Sequence, residues 1–183
     1  MSGDDDKARF ARVVLPHLAD AYALGRWLTG DRADAEDVVQ EACLRAFRAI
    51  GTYAGGNARA WTLTIVRNAA YAWLEKNRTP VIRAVDDIVA TERVHADPAE
   101  QAPGGVYAVT PETDLIAKAD AARLETSIAA LPVHFRETLV LRDIQGLDYR
   151  EIAQVTGVPI GTVMSRLSRA RQRLMDAIGT DRP

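Results

Sequence analysis

Residues 148–174 of the chain read DYREIAQVTGVPIGTVMSRLSRARQRL. Asp148 precedes a short amphipathic segment, and its carboxylate is suited to cap the free amides of a helix that begins there. Gly157 follows that segment, at a position where a left-handed backbone conformation favours glycine. A second, longer helix is predicted from about Ile160 to Ile178. The stretch is therefore interpreted as a helix-turn-helix.

The second helix has one apolar and one polar face. At 100° per residue, five apolar side chains fall within about 80° of one another and are expected to pack inward: Val163, Leu167, Ala170, Leu174 and Ile178. The opposite face carries Ser165, Ser168, Arg169 and Gln172, and Arg166, Arg171 and Arg173 lie on its flanks. Short polar groups around an arginine suit base edges in the DNA major groove, and flanking arginines suit phosphates. A solvated surface helix is the alternative, although no acidic residue occurs between Glu151 and Asp176.

The rest of the chain predicts an all-α fold. Alanine occurs 31 times, and apolar residues recur at three- and four-residue spacings. Four of the eight prolines fall within residues 79–111, where proline disfavours a helix. We therefore predict two small helical domains, residues 1–78 and 111–183, joined by a flexible linker at 79–110, with one helical turn near residues 85–89.

The first domain is expected to hold three or four helices. Pro16 starts or kinks a helix within residues 10–28, and Gly30 ends that segment. Asp34 is predicted to begin and cap the next helix, whose apolar stripe comprises Val39, Cys43, Ala46, Phe47 and Ile50. A further helix over about residues 58–76 has one face made of Trp61, Ile65, Ala69 and Ala72.

Composition excludes several classes of protein. Of the 183 residues, 48% are hydrophobic and 26% are charged, which is typical of a soluble globular chain. No apolar run approaches the roughly 20 residues of a membrane helix, and the acidic start lacks the features of a secretory signal. The single cysteine, Cys43, cannot form an internal disulfide and is interpreted as a core residue rather than a redox sensor. We expect a cytoplasmic protein that does not insert into a membrane.

The net charge of −2 does not exclude DNA binding, because the acidic residues are unevenly placed. Residues 79–133 carry 4 basic and 9 acidic groups, whereas residues 1–78 carry 11 and 10, and residues 134–183 carry 8 and 6. Both ends are thus locally basic.

Two further surfaces have a functional and a structural interpretation. Asp34, Asp37 and Glu41 fall within about 60° of one another, which suits a docking face, but taken alone they are better explained by helix capping and a Glu41–Arg45 pair. Residues 53–78 combine aromatic and basic side chains with Glu75 as the one acid. That combination suits unstacked bases, or else tryptophans in a core beneath a basic surface.

Together and in this order, these features resemble a bacterial RNA polymerase sigma factor of the extracytoplasmic-function (ECF) group. DAEDVVQEA at residues 34–42 resembles the polymerase-binding segment of region 2, and WTLTIVRN at 61–68 resembles the segment that opens and reads the promoter minus-ten element. Residues 130–174, with PIGTV at 159–163, resemble region 4, a helix-turn-helix. The resemblance covers about residues 10–78 and 111–178.

The resemblance implies a role for particular side chains. For core polymerase these are Asp34, Asp37, Gln40 and Glu41. For the minus-ten element they are Asn57, Arg59, Trp61, Arg67 and Asn68. For the minus-thirty-five element they are Thr162, Ser165, Arg166, Ser168, Arg169, Arg171 and Arg173.

The same resemblance implies that the chain directs promoter recognition, promoter melting and initiation as a subunit of the polymerase. Its partners would be core RNA polymerase, promoter DNA and an anti-sigma factor, with no cofactor or metal. Met164 and Ala72 depart from the family pattern, since relatives often carry a basic residue at the first position and a polar one at the second. These departures imply altered promoter contacts.

Two other classes remain as alternatives. A helix-turn-helix regulator of another kind explains residues 111–178 but leaves residues 34–41 and 61–68 unexplained. An enzyme is disfavoured because His17, His95 and His134 are scattered and no nucleophile–base or metal-ligand spacing occurs. His134 is interpreted as a surface residue at a helix start.

Overall fold

The computed structural model of the chain describes residues 3–77 and 111–179, with the backbone alone for residues 111–119. No strand occurs among these residues, which confirms the all-α prediction. The helices are α1 Gly3–Val13, α2 Leu18–Thr29, α3 Arg32–Ala49, α4 Ala58–Asn77, α5 Pro111–Ala130, α6 Val133–Leu139, α7 Tyr149–Thr156 and α8 Ile160–Gly179. Shorter elements are 3-10 turns at Leu15–His17 and Ile50–Thr52 and a π-helical turn at Val140–Ile144. The predicted linker, with its turn near residues 85–89, lies outside the described residues.

The cap of α3 differs from the prediction. Gly30 ends α2 with φ +85°, as expected for a left-handed C-terminal residue. The chain therefore enters α3 in an extended conformation at Asp31, whose Oδ1 accepts hydrogen bonds from the amides of Ala33 and Asp34 at 2.8 and 3.3 Å. These amide bonds lower the pKa of Asp31. The prediction of Asp34 as the capping residue was wrong, because Asp34 already lies in the first turn.

Helices α2, α3 and α4 pack together around Leu24, Leu28 and Leu63. The buried side of α4 is rotated relative to the prediction and comprises Ala60, Leu63, Val66, Ala69, Ala70 and Leu74. Trp61 and Ile65 are half-buried, and Ala72 is exposed. The predicted face was wrong at Ala72 because the contacts with α2, α3 and α7 bury a face of α4 on which Ala72 does not lie.

Two other expected core residues are exposed. Phe47 is 40% exposed and rests edge-on against the ring of Phe10, with 5.6 Å between the centroids. Ile178 is 49% exposed, because α8 continues past Leu174, the last side chain on this helix that is covered.

The second part of the chain packs α6 and α7 against α8. Its core includes Phe135, Leu141, Ile152, Val163 and Leu167, all no more than 2% exposed. The two parts also contact each other directly, since α7 lies against α4 and α6 lies against α2. Buried apolar residues from both parts form one continuous cluster.

Candidate functional site

Capping interactions at both ends of α7 stabilise the helix-turn-helix. At the start of α7, Asp148 Oδ1 accepts from the Glu151 amide and Glu151 Oε2 accepts from the Asp148 amide, both at 2.8 Å. Such a reciprocal pair satisfies two amides that the helix itself leaves unpaired. Gly157 ends α7 with φ +71°, so the chain turns directly into α8. The sequence predicted this turn correctly.

Helix α8 presents the faces that the sequence predicts, apart from Ile178. Val163, Leu167, Ala170 and Leu174 are buried. Of the predicted DNA-contact residues, Ser168 and Arg173 are exposed, and the half-buried ones are Thr162, Ser165, Arg166, Arg169 and Arg171.

Two flanking arginines of α8 contact their own half of the chain. Arg171 donates to both carboxylate oxygens of Asp143, with Nη2···Oδ1 at 2.7 Å and Nε···Oδ2 at 3.2 Å. Asp143 and burial act in opposite senses on the pKa of Arg171, and the hydrogen bond to Asp143 makes the net effect a rise. Arg173 lies over the Phe135 ring, 5.2 Å from its centroid. Both guanidinium groups are thus engaged by other residues of the second part of the chain.

The predicted polymerase-binding residues lie on the outer side of α3. Asp37, Gln40 and Glu41 are exposed and Asp34 is half-buried, opposite a buried side that comprises Ala35, Val38, Val39 and Ala42. Glu41 accepts from Arg45 Nε at 2.8 Å, so one acid of this face is paired within the helix. Beside the face, an open and mainly apolar groove between α2 and α3 is lined by Leu18, Ala19, Tyr22, Glu36, Val39 and Gln40. Carboxylates therefore border an apolar groove.

The predicted minus-ten residues begin at the start of α4. Asn57 caps this helix, since its Oδ1 accepts from the Ala60 amide at 3.0 Å. Trp61 is half-buried against Tyr53, with 5.2 Å between the ring centroids. Asn68 is exposed one position beyond Arg67. These residues lie on more than one face of α4 and in the loop before it.

Three of these residues donate hydrogen bonds to the second part of the chain. The bonds run from Asn57 Nδ2 to Glu151 Oε1 at 2.6 Å, from Arg59 Nη2 to the Gln145 carbonyl at 2.8 Å, and from Arg67 Nε to Glu137 Oε1 at 2.6 Å. Arg59 also donates to Asp20 Oδ2 at 2.7 Å. The structure thus places three of the five predicted minus-ten residues against the second part of the chain.

A polar cluster at this contact was not predicted from the sequence. The Glu137 side chain is fully buried and accepts from Arg67 and from the Tyr71 hydroxyl, the latter at 3.1 Å. Tyr71 stacks on His134 with 5.6 Å between centroids, and its hydroxyl lies 3.0 Å from His134 Nδ1. The Arg67 guanidinium carbon lies 4.3 Å from the centre of the Tyr71 ring. His134 was interpreted as a surface residue, but it is half-buried because α4 covers it.

Burial dominates the electrostatics of the cluster. It raises the pKa of Glu137, and the positive charge of Arg67 offsets only part of this rise. Burial also raises the pKa of Tyr71 well above 10, and the adjacent Glu137 carboxylate adds to that rise. The charge of Arg166 acts on both groups in the opposite sense, so α8 also faces this cluster. No periodicity could reveal these contacts, because they join residues 63 to 70 positions apart.

The described part of the chain shows neither a metal-binding cluster nor a membrane-spanning helix. Residues 3–77 and 111–179 contain no group of three potential metal-ligating side chains. Within the same residues, no helix is long and apolar enough to cross a membrane. Cys43 is half-buried against the core, and burial raises the pKa of its thiol.

Two family models match separate parts of the chain. Residues 13–79 match the model described as Sigma-70 region 2, which includes α3 and α4. Residues 121–174 match the model described as Sigma-70, region 4, which includes the helix-turn-helix.

Three curated RNA polymerase sigma factors are similar to this chain over most of its length. It is 34% identical over 164 residues to the ECF RNA polymerase sigma factor SigE of Mycolicibacterium smegmatis, covering 90% of this chain but 59% of that relative. It is 32% identical over 175 residues to the RNA polymerase sigma-H factor of Pseudomonas aeruginosa, covering 94% and 88% of the two chains. It is 33% identical over 173 residues to the ECF RNA polymerase sigma-E factor of Escherichia coli K12, covering 93% and 86%.

Two solved structures resemble the whole arrangement. The sigma factor RpoE in complex with the anti-sigma factor NepR from Bartonella quintana has a TM-score of 0.65 at 27% identity, covering 94% of this chain and 98% of that one. CnrH in complex with the cytosolic domain of CnrY has a TM-score of 0.60 at 23% identity, covering 94% and 89%, and is similar in fold.

Proposed function

Because the chain belongs to the ECF group of RNA polymerase sigma factors, we propose that it binds core RNA polymerase and directs promoter recognition, promoter melting and transcription initiation. The main observation behind the proposal concerns α8. Its apolar side packs against α6 and α7, and its serines and arginines border the opposite side. That arrangement occurs on the same chain as an exposed acidic face and an aromatic, basic helix.

Contact with core polymerase is assigned to the outer side of α3. Asp34, Asp37, Gln40 and Glu41 supply negative charge and hydrogen-bond acceptors beside the apolar α2–α3 groove. A surface of this kind fits a basic, partly apolar partner, because charge steers the encounter and apolar burial supplies affinity.

Reading of the minus-ten element is assigned to α4 and the loop before it. Asn57, Arg59, Trp61, Arg67 and Asn68 combine amide groups, guanidinium groups and an indole. An unpaired base can stack on an aromatic ring and donate or accept at its edge, which offsets part of the cost of unstacking it. Melting would then be favoured by capture of the exposed strand.

Reading of the minus-thirty-five element is assigned to α8 in the major groove. Ser165, Ser168 and Arg169 are placed to meet base edges, and Thr162, Arg166, Arg171 and Arg173 to meet the backbone or the groove margin. Chemistry on the nucleotides would belong to the core enzyme, so no catalytic residue or cofactor is assigned to this chain.

The domain boundaries follow the same division. Residues 1–78 would act as region 2 and residues 111–183 as region 4, with residues 79–110 as a linker that lets both reach separate promoter elements. The RpoE protein of Bartonella quintana was solved in complex with an anti-sigma factor, and we infer that an anti-sigma factor also binds this chain. This chain would act in the cytoplasm, together with core polymerase.

The discriminating experiment is promoter binding with and without core polymerase. A DNA library with randomised positions is selected on the reconstituted complex, and the enriched sequence is then tested with each component alone. We expect specific binding only with both components present. Equally specific binding by the chain alone would instead support a helix-turn-helix regulator of another kind.

A further inference from the structure

The loop before α4 is held by a side chain of α1, a helix to which no DNA contact has been assigned. We propose that Arg9 of α1 is a positioning residue, which fixes the loop at residues 53–57 in the form that receives an unpaired base of the minus-ten element. The inference rests on the proposed function and adds a residue that would set base discrimination without meeting DNA itself.

Arg9 contacts Tyr53 in two ways. Its Nη2 atom donates a hydrogen bond to the Tyr53 carbonyl, and its guanidinium carbon lies over the Tyr53 ring, 6.0 Å from the centre. A guanidinium group at such a distance is attracted to the face of the ring. One half-buried side chain therefore restrains both the backbone and the ring of Tyr53.

Tyr53 in turn contacts both ends of the loop. Its hydroxyl donates to the Gly56 carbonyl at 2.7 Å, and its ring packs against Trp61, with 5.2 Å between the centroids. Gly55 and Gly56 have φ values of +98° and +95°, which residues with a side chain rarely adopt. The loop therefore closes between Tyr53 and Gly56, beside the indole of Trp61.

Helix α1 holds Arg9 at a fixed place. The neighbouring Phe10 rests edge-on against Phe47 of α3, and Val14, just after α1, is 1% exposed. Helix α1 also contacts α4 and the 3-10 turn at Ile50–Thr52. Because these contacts hold α1 against the first part of the chain, Arg9 donates to Tyr53 from a fixed backbone.

The proposed capture of a base needs an ordered loop. A base that leaves the duplex loses its stacking, and it regains part of that free energy only from rings and hydrogen-bonding groups at suitable places. A loop that is ordered before DNA arrives loses less conformational entropy on binding. Since hydrogen bonds to a base edge depend on geometry, Arg9 should favour the correct base more than a wrong one.

The test uses the chain assembled with core polymerase. Fluorescence anisotropy measures binding of a single-stranded oligonucleotide that carries the minus-ten sequence of the selected promoter, and of strands in which one base at a time is changed. Arg9→Ala removes both contacts with Tyr53, whereas Arg9→Lys keeps a positively charged donor. Arg12→Ala is the matched control, because Arg12 is exposed on the same helix and its change alters net charge equally. Far-UV circular dichroism checks folding, and Arg9→Met decides the test if Arg9→Ala does not fold.

We expect Arg9→Ala to weaken binding of the correct strand by at least about threefold and of the changed strands by less than about twofold, because only the correct base gains from the ordered loop. The dependence of binding on salt should not change, since no phosphate contact is lost. Arg9→Lys should restore most of the discrimination, and Arg12→Ala should match the unmodified chain.

Two outcomes overturn the inference alone. One is unchanged discrimination in the folded variant that lacks the Arg9 guanidinium. The other is equal weakening of all strands with a salt slope reduced by about 0.7, which would make Arg9 a direct phosphate contact. If the unmodified complex does not prefer the selected strand over the changed ones, the proposed reading of the minus-ten element is itself rejected, and the role of Arg9 with it.

Discussion

Asn57 and Glu151 are joined by a 2.6 Å hydrogen bond although 94 positions separate them in the chain. Each residue also caps a helix: Asn57 accepts from the Ala60 amide at the start of α4, and Glu151 accepts from the Asp148 amide at the start of α7. One pair of side chains therefore fixes two helix N-termini relative to each other.

The first prediction concerns this double role. Asn57→Ala should lower the free energy of unfolding by about 1–2 kcal/mol, because it removes a helix cap and a hydrogen bond between the halves. Asn77→Ala is the matched control: Asn77 is exposed at the other end of α4, and its loss should change stability by less than about 0.5 kcal/mol. Urea denaturation of both variants makes the comparison. Equal losses would show that Asn57 has no special structural role.

The second prediction concerns the acidic face of α3. Asp37→Lys combined with Glu41→Lys should weaken core polymerase binding by at least about tenfold, because it reverses the charge of the proposed docking face. Glu75→Lys combined with Glu125→Lys gives the same change in net charge at exposed positions outside that face. Titration of labelled chain with core polymerase measures both. If the control pair weakens binding as much, net charge rather than the α3 face decides the affinity.

The third prediction assigns separate roles along α8. Arg169→Ala should reduce discrimination by about 1–3 kcal/mol at one or two base pairs of the minus-thirty-five element, since arginine commonly reads guanine. Arg173→Ala should weaken all sequences equally and reduce the salt slope by about 0.9, the value for one phosphate contact. Arg171→Ala should have a smaller effect on the slope, because Asp143 already pairs with Arg171.

These roles are measured by binding of the reconstituted polymerase complex to single-base promoter variants at several salt concentrations. A uniform loss for Arg169→Ala, together with altered base preference for Arg173→Ala, would reverse the assignment. If none of the three changes alters promoter binding, α8 is a solvated surface helix and not a DNA-reading helix.

The fourth prediction uses the raised pKa of Tyr71. In a titration followed by ultraviolet absorbance, one of the five tyrosines should ionise well above pH 10. Since burial raises the pKa of Tyr71, the packing of α4 against α6 favours the neutral phenol. Its contribution to stability is therefore present below about pH 10 and is lost as pH rises through the raised pKa. Tyr71→Phe should abolish this late step, and its persistence in that variant would assign the step to another tyrosine.

The sequence predicted the features that depend on local rules. Asp148, Gly157 and the spacing of Val163, Leu167, Ala170 and Leu174 specify a capped helix, a left-handed turn and an amphipathic helix within 27 consecutive residues. Each of these rules relates residues a few positions apart.

Features that depend on distant neighbours were missed or misplaced. Glu137 is charged and lies in a short helix, so nothing local indicates that Arg67 and Tyr71 bury it from α4. Ala72 was placed on a buried face, but the contacts with α2, α3 and α7 bury a different face of α4. Tyr71 of α4 also covers His134, which was expected at the surface. The assigned polymerase and DNA contacts remain predictions, since each depends on a partner outside the chain.

Run-off transcription with purified core polymerase measures whether the chain itself starts transcription at a promoter. A template carrying the selected promoter is transcribed by core alone, by core with the chain, and by core with the Asp37→Lys and Glu41→Lys variant. We expect a transcript of discrete length only with the unmodified chain. The chain is not a sigma factor for this promoter if it gives no such transcript, or if a transcript appears only after a separate sigma factor is added.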